Sequence, residues 1–351
     1  MRPIFLSKGI KAFRGLTLIG KTFRHRNRSI YRKRETAELN TTKIIMERKI
    51  SFSDVQKAVE EAYEQVKSIN EGSIDARNIG AESGKFGISV MLTDGRTIDK
   101  ADTDTLFPLG AIAKLPISAV LFAQNSAQEV VKKSGACGCH AKKEKVELPF
   151  GRHGLRAVSA LEPANDADGK YDIISSMIAN MTGGAAGVLN DKIYEQYQSD
   201  VASQNVVDKL TESGYYLYDN AKAAIEVYTK LLSLQLTTKQ LAAMGATVAA
   251  DGRNPISGEY AFDGANSQSI VALMATRGKH FIKPWMVLTG MPVKKGFGGG
   301  MVAVLPGFGA IAAYSPELNE KGVSVKAAKA IAYIAQKLSL SVYASARVSV
   351  E

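Results

Sequence analysis

The 351 residues, 45% hydrophobic and 23% charged, are enough to bury one large core and exclude a disordered or fibrous chain. No run approaches the ~18 consecutive apolar residues of a membrane span, so a soluble chain with no membrane partner is expected. Two cysteines, Cys137 and Cys139, exclude a disulfide framework and point to a reducing, cytoplasmic setting. The net charge of +11 is confined to one end: residues 1–49 hold fourteen Lys or Arg against three Glu, and the rest holds thirty-one of each sign. A nucleic-acid-binding face is therefore not expected on the folded part.

The basic leader, residues 1–45, is open to three readings: upstream sequence before a true start at Met46, a mitochondrial-type presequence, or a basic arm. None of them counts toward the fold, which is expected to run over 46–351.

From Ser51 the spacing of Val55, Val59, Ala62, Tyr63 and Val66 predicts a helix over Asp54 to Asn70. The period then changes to two. Phe86, Ile88, Val90 and Leu92 alternate with smaller or polar residues, and Asp94-Gly95 turns the chain into Arg96 to Asp99, a β-hairpin. Helices are expected over Ala111 to Gln124, Ile173 to Met181, Asn220 to Ser233 and Thr238 to Ala250. The last carries a capping box, Thr237 with Gln240, and a stop at Gly252. A second β unit, Met301 to Leu305 and Ala310 to Ser315, turns through Pro306 to Gly309, and a helix over Val325 to Leu338 closes the pattern. Strands at both ends with helices between them predict an α+β fold. One antiparallel sheet would come from about 80–108 and 265–345, with a helical subdomain inserted over about 109–260.

Residues 125–150 read as an irregular insertion loop. Cys137, Cys139 and His140, with His153 nearby, could offer soft ligands, but the spacing is weak for a four-ligand site, and neither a metal nor a cofactor is expected.

Several segments together resemble the serine-dependent glutaminase family, which shares the penicillin-binding and serine β-lactamase type of fold. Gly296 to Pro306, followed by Ser315 to Gly322, is similar to that family's glycine-rich strand and its Ser-Pro-Pro-Leu-Asp-Glu-Lys-Gly loop. Leu241 to Ala249 with Gly252, Asn254, Pro255, Gly258 and Glu259 resembles a second signature, and Tyr197-Gln198-Ser199-Asp200 a third. The resemblance spans roughly residues 50–343 and favours Met46 as the start. It implies a β-lactamase/transpeptidase-like fold, hydrolysis of L-glutamine to L-glutamate and ammonia, and a homodimer or homotetramer.

The same resemblance makes the site readable residue by residue. The family's nucleophile lies in a Gln-Ser-x-x-Lys motif, whose three-residue spacing sets serine and lysine on one face so that the lysine can take the hydroxyl proton. Here the motif reads Gly110-Ala111-Ile112-Ala113-Lys114: the lysine is present and the serine is not. The family's carboxylate falls on Asp200, and the substrate asparagine beyond it on Asn205 across a two-residue gap. The Asn-Ala-Gly-Ala segment is replaced by something near Asp172 to Ser176 after Pro163 and Asn165. Tyr228 matches a family tyrosine and His280 replaces another. The oxyanion N–H falls on Phe297, where valine is usual, and Lys295 stands where serine is usual.

Each residue also has a plainer interpretation. Lys114 alone is an ordinary helix lysine, Tyr228 is core beside Ala224 and Leu231, and His280 is a surface histidine. The glycines at 298–300 belong to a close-packed strand rather than a phosphate cradle. Two functions follow. One is a non-catalytic family member that still recognises an amino acid, glutamine or an analogue. The other is an amidohydrolase of altered chemistry, with Lys114 or His280 as base for a water and Phe297 N–H receiving the oxyanion.

Overall fold

Alternation at period two sends neighbouring residues of a strand to opposite faces, and here both faces are apolar. The computed structural model describes residues 47–133, 147–213, 215, 217–276 and 281–351. In it Gly87–Leu92 (β3), Thr97–Ala101 (β4), Val293–Lys295 (β8), Gly300–Leu305 (β9) and Gly309–Tyr314 (β10) form one antiparallel sheet of order β4-β3-β10-β9-β8. Its register sets Ile311 between Val90 and Ala303. Ile88, Val90, Met301, Ala303 and Ile311 pack on one side, and Met91, Val302, Val304, Ala310 and Ala312 on the other. A sheet buried on both faces needs a helical layer on each.

The first layer is Phe52–Val66 (α1) with Val325–Lys337 (α12). Helix α1 starts where Ser51 accepts from Asp54 N–H and Asp54 reaches back to Ser51 N–H, and it buries Val55, Ala58, Val59, Ala62 and Val66. Before it, Glu47–Ile50 (β1) pairs in parallel with Arg347–Val350 (β12), joining the two ends of the described chain. The second layer is Thr238–Ala249 (α9), which has the predicted Thr237/Gln240 capping box. It lies so close to the sheet that a methyl on Gly245 would come within 2.6 Å of Ala310 Cβ and 2.7 Å of Val302 Cγ2.

The remaining helices stand between the two strand-forming ends. They include Lys114–Gln124 (α2), Arg152–Ser159 (α4), Ala167–Thr182 (α5), Asp191–Ser203 (α6) and Ala221–Ser233 (α8). Gly264–Thr276 (α10) and Ile282–Thr289 (α11) extend this helical part into the stretch from 265 expected to supply strands. A small sheet of Phe107–Pro108 (β5), Leu234–Leu236 (β7) and Val188–Leu189 (β6) ties this part to the start of α2.

The stretch expected to be irregular from 125 opens with a helix, Ala127–Lys133 (α3). Ser126 N–H and Oγ both bond Glu129 Oε2, at 3.0 and 2.7 Å, and Val130 is buried, so a capping box outweighs the loop-like composition. The leader, Met46, Cys137, Cys139, His140 and His280 lie outside the described residues. Helix α5 runs well ahead of its predicted start at Ile173, because Asp166 caps it through Gly169 N–H.

Candidate active site

Strand β5 delivers the chain to a single 3-10 turn, Gly110–Ala113, which passes straight into α2 at Lys114. Gly110 holds φ at +51°, a left-handed value that a side chain there would strain. Buried Ile112, Ala113 and Leu115 anchor the turn, while Ala111 and Lys114 stay half-buried.

Lys114 Nζ and Tyr228 Oη both approach the start of α4. A methyl placed on Gly151 would stand 3.1 Å from Lys114 Nζ and 3.7 Å from Tyr228 Oη. A methyl on Gly154 would sit 2.1 Å from the same hydroxyl and 2.2 Å from its ring carbon. Glycine at both positions leaves room for the two side-chain ends, and at Gly154 only glycine admits the tyrosine head. Tyr228 lies on α8 among Ala224, Val227 and Leu231, fully buried. Its hydroxyl has no hydrogen-bond partner among the described residues. Burial first, and then the neighbouring Tyr197, push that phenol far above its ordinary value. It is a neutral donor at any physiological pH.

A chain of aromatic contacts leads on. Phe150 meets Tyr228 edge-on at 5.7 Å between ring centres and Tyr197 at 6.4 Å; Tyr197 then meets Phe297 at 6.3 Å. Tyr197 is pushed up to about 12, chiefly by burial, with Arg77 opposing. The Arg77 guanidinium lies 4.7 Å from the centre of the Phe297 ring. It also grips Asp75 through Nε at 2.8 Å and a terminal nitrogen at 2.6 Å.

Phe297 sits in the β8–β9 turn, which packs on the strand-to-helix turn. Its nitrogen is 3.1 Å, and its ring 2.6 Å, from where a methyl on Gly110 would be. Methyls on Gly296 and Gly298 would come within 2.2 Å of the carbonyl oxygens of Leu109 and Pro108. The glycine run thus serves close packing. Lys295 donates to the carbonyl oxygens of Lys321 and Gly322, and burial pulls its ammonium below the usual value.

The other candidates are placed differently. Asp200 is half-buried on α6, its Oδ1 accepting from Gln196 Nε2 at 2.9 Å. Asn165 is exposed: its N–H donates to Asp219 Oδ1 at 2.8 Å and its side-chain oxygen accepts from Asn220 N–H. Asn205 is exposed in a left-handed conformation at the cap of Val206–Glu212 (α7). The structure thus seats Phe297 against Gly110 and brings Lys114 Nζ and Tyr228 Oη near one glycine, Gly151, while Asn165 and Asn205 are both exposed. Asp172 to Ser176 lie within α5. Among the described residues no cluster of His, Cys, Asp and Glu could hold a metal ion, and no helix is long and apolar enough to cross a membrane.

Residues 79–343 match the model of the family described as Glutaminase. A glutaminase of Bacteroides fragilis is 32% identical over 321 residues, covering 87% of this chain and 99% of its own. The chain belongs to the glutaminase family. A glutaminase of Bacteroides thetaiotaomicron is 31% identical over 314 residues, with 85% and 97% covered. Among solved structures, the probable glutaminase ybaS superposes with a TM-score of 0.75 at 28% identity, covering 84% of this chain and 99% of that one. The Bacillus subtilis glutaminase YbgJ, in covalent complex with 5-oxo-L-norleucine, gives 0.69 at 21% identity, with 83% and 99% covered. That second likeness is one of fold, the β-lactamase-like fold of this glutaminase group.

Sequence reasoning missed Phe150, Gly151, Gly154 and Arg77. A faint signal for the first three was present in Phe150-Gly151-Arg152-His153-Gly154, two glycines at helical spacing before an apolar run.

Proposed function

We propose that this chain is a glutaminase-family protein whose amide-hydrolysing chemistry is impaired, because Ala111 occupies the position from which a serine would attack. The observation that carries this reading is the survival of the surroundings of that position without its hydroxyl. Lys114 follows at helical spacing, Tyr228 Oη and Lys114 Nζ both approach Gly151, and the Phe297 nitrogen approaches the turn at Gly110.

With a hydroxyl at 111, Lys114 in its neutral form would take the proton while the oxygen attacks the γ-carbonyl of glutamine. The Phe297 N–H would receive the negative charge, and ammonia would leave from the tetrahedral adduct with a proton returned through Tyr228 or Lys114. Water would then release glutamate from the acyl ester. A methyl group has no lone pair to begin this sequence. Loss of a nucleophile typically removes several orders of magnitude of rate, and leaves only what binding and oxyanion stabilisation supply to direct attack by water. The same reading assigns glutamine or a close analogue as the recognised small molecule. It takes a cytoplasmic setting from the two-cysteine composition, and a homodimer or homotetramer from the family likeness.

Ammonia release from L-glutamine tests it. The wild-type protein should turn over far more slowly than an intact relative, and Ala111→Ser should raise the rate only partly, since Asp200 is shorter than the family's glutamate and its Oδ1 accepts from Gln196. Wild-type turnover at the level of an intact glutaminase would refute the reading and direct attention to a water activated by Lys114.

A further inference from the structure

The turn bearing Ala111 and Lys114 is still reachable from solvent, since both residues are half-buried. On the Gly110 side, however, the space is taken. The Phe297 ring lies against the bare Cα of Gly110, so close that a methyl there would stand 2.6 Å from Cδ1 and 2.9 Å from Cε1. Only glycine, already favoured there by its left-handed φ, admits the ring.

The ring is held on its other sides as well. Arg77 stacks over it, anchored in turn by Asp75, and Tyr197 closes its edge. Rotating it aside would break a cation–π contact and an aromatic contact together. The backbone nitrogen beside that ring is the donor that the hydrolytic reading needs for its oxyanion, so a carbonyl must reach Phe297 N–H past the side chain of Phe297 itself.

Resting on that reading, we propose that Phe297 is the specificity-determining residue of this site. Its ring, seated on Gly110 and locked by Arg77, makes the pocket too shallow for a glutamine or glutamate side chain to bring its terminal carbonyl to the Phe297 N–H. The consequence is a second lesion independent of the first, one of space in addition to one of chemistry. Restoring the hydroxyl at 111 leaves the wall in place, and lowering the wall leaves the hydroxyl missing.

The experiment uses four proteins: wild type, Ala111→Ser, Phe297→Val, and the double variant. Binding is read as the thermal shift produced by saturating L-glutamate. Access to residue 111 is read by intact-mass labelling with 6-diazo-5-oxo-L-norleucine. In that reaction a serine Oγ–C6 bond forms, the C6–N bond breaks, dinitrogen leaves and the hydroxyl proton ends on C6. Phe297→Val alone should show a larger glutamate-induced stabilisation than wild type, without labelling. The double variant should label at least roughly tenfold faster than Ala111→Ser, the discrimination a pocket shows for the addition or removal of a small apolar group. Should Phe297→Val prove too unstable to purify, Phe297→Leu, which removes the outer ring carbons and so lowers the wall by less, carries the same expectations in direction and smaller in size. Equal labelling of the single and double variants, or a glutamate shift as large in wild type as in Phe297→Val, would overturn the proposal and leave the lost-nucleophile reading standing. Glutamine turnover by wild type would instead overturn that reading.

Discussion

Tyr228→Phe should make the protein more stable, although it truncates a residue in the middle of the core. The hydroxyl is fully buried and unpaired among the described residues, and a dry, unbonded hydroxyl costs roughly 1–3 kcal/mol. Its removal leaves the ring and its edge-on contact with Phe150 in place. The expected gain is about 1 kcal/mol, a rise of roughly 2–4 °C in Tm. Gly154→Ala should act in the opposite direction, because the new methyl would fall 2.1 Å from the hydroxyl oxygen and 2.2 Å from the ring carbon that bears it. Overpacking of that kind costs about 1–3 kcal/mol, offset by roughly 0.5–1 kcal/mol of helix propensity, for a net loss of about 1–2 kcal/mol. In the Tyr228→Phe background the oxygen contact vanishes but the carbon contact remains, so the two changes should couple by only about 0.5–1 kcal/mol. Urea denaturation of the four proteins, with slopes compared, measures all of these quantities. Tyr228→Phe destabilising by more than about 1 kcal/mol would show that the hydroxyl is bonded in solution, and the argument from an orphaned group would fail.

Three further outcomes are expected. A chain beginning at Met46 should melt within roughly 2 °C of the full chain, since the first described strand starts at Glu47 and is held by β12; a larger drop in a thermal scan would show that the leader packs. Lys170→Met should cost about 3–5 kcal/mol in urea denaturation. Lys170 Nζ stands 2.7 Å from Asp219 Oδ2 with both side chains fully buried, and the substitution leaves that buried charge without its cation; a loss below about 1 kcal/mol would mean that water reaches Asp219. The hydrogen bond from Arg77 holds the Asp75 carboxyl below its usual range. A depressed carboxyl stabilises above the unfolded value near pH 4, and that contribution is lost as pH falls through the folded value. Asp75→Asn should therefore lower stability at pH 7 by less than about 1 kcal/mol, given its partial exposure, and by less still at about pH 2.5; an equal loss at both would rule out the ion pair as the cause.

Much of the molecule was legible in its sequence, because period and spacing are local properties. Alternation at Ile88, Val90 and Leu92 and the Thr237/Gln240 capping box each specify a conformation that does not depend on distant chain, whereas the helix expected from Ala111 begins as a 3-10 turn and becomes α-helical only at Lys114. Tyr228 could be singled out by motif alone, and so could the lack of a hydroxyl at 111, since residue identity is the whole of that observation. What only the tertiary structure decided lies between residues far apart in sequence. Gly154 has no reason of its own to be glycine until Tyr228 arrives from a helix some seventy residues on. Phe297 is an ordinary apolar residue until its turn is pressed against Gly110 and Arg77 is stacked above it. Asn205 matches its motif only across a two-residue gap and Asn165 stands beside a segment that is replaced, and both side chains are exposed. Local pattern sets which way a side chain leaves its own element, whereas which partner it meets, and whether room remains beside it, is set by the packing of elements on one another.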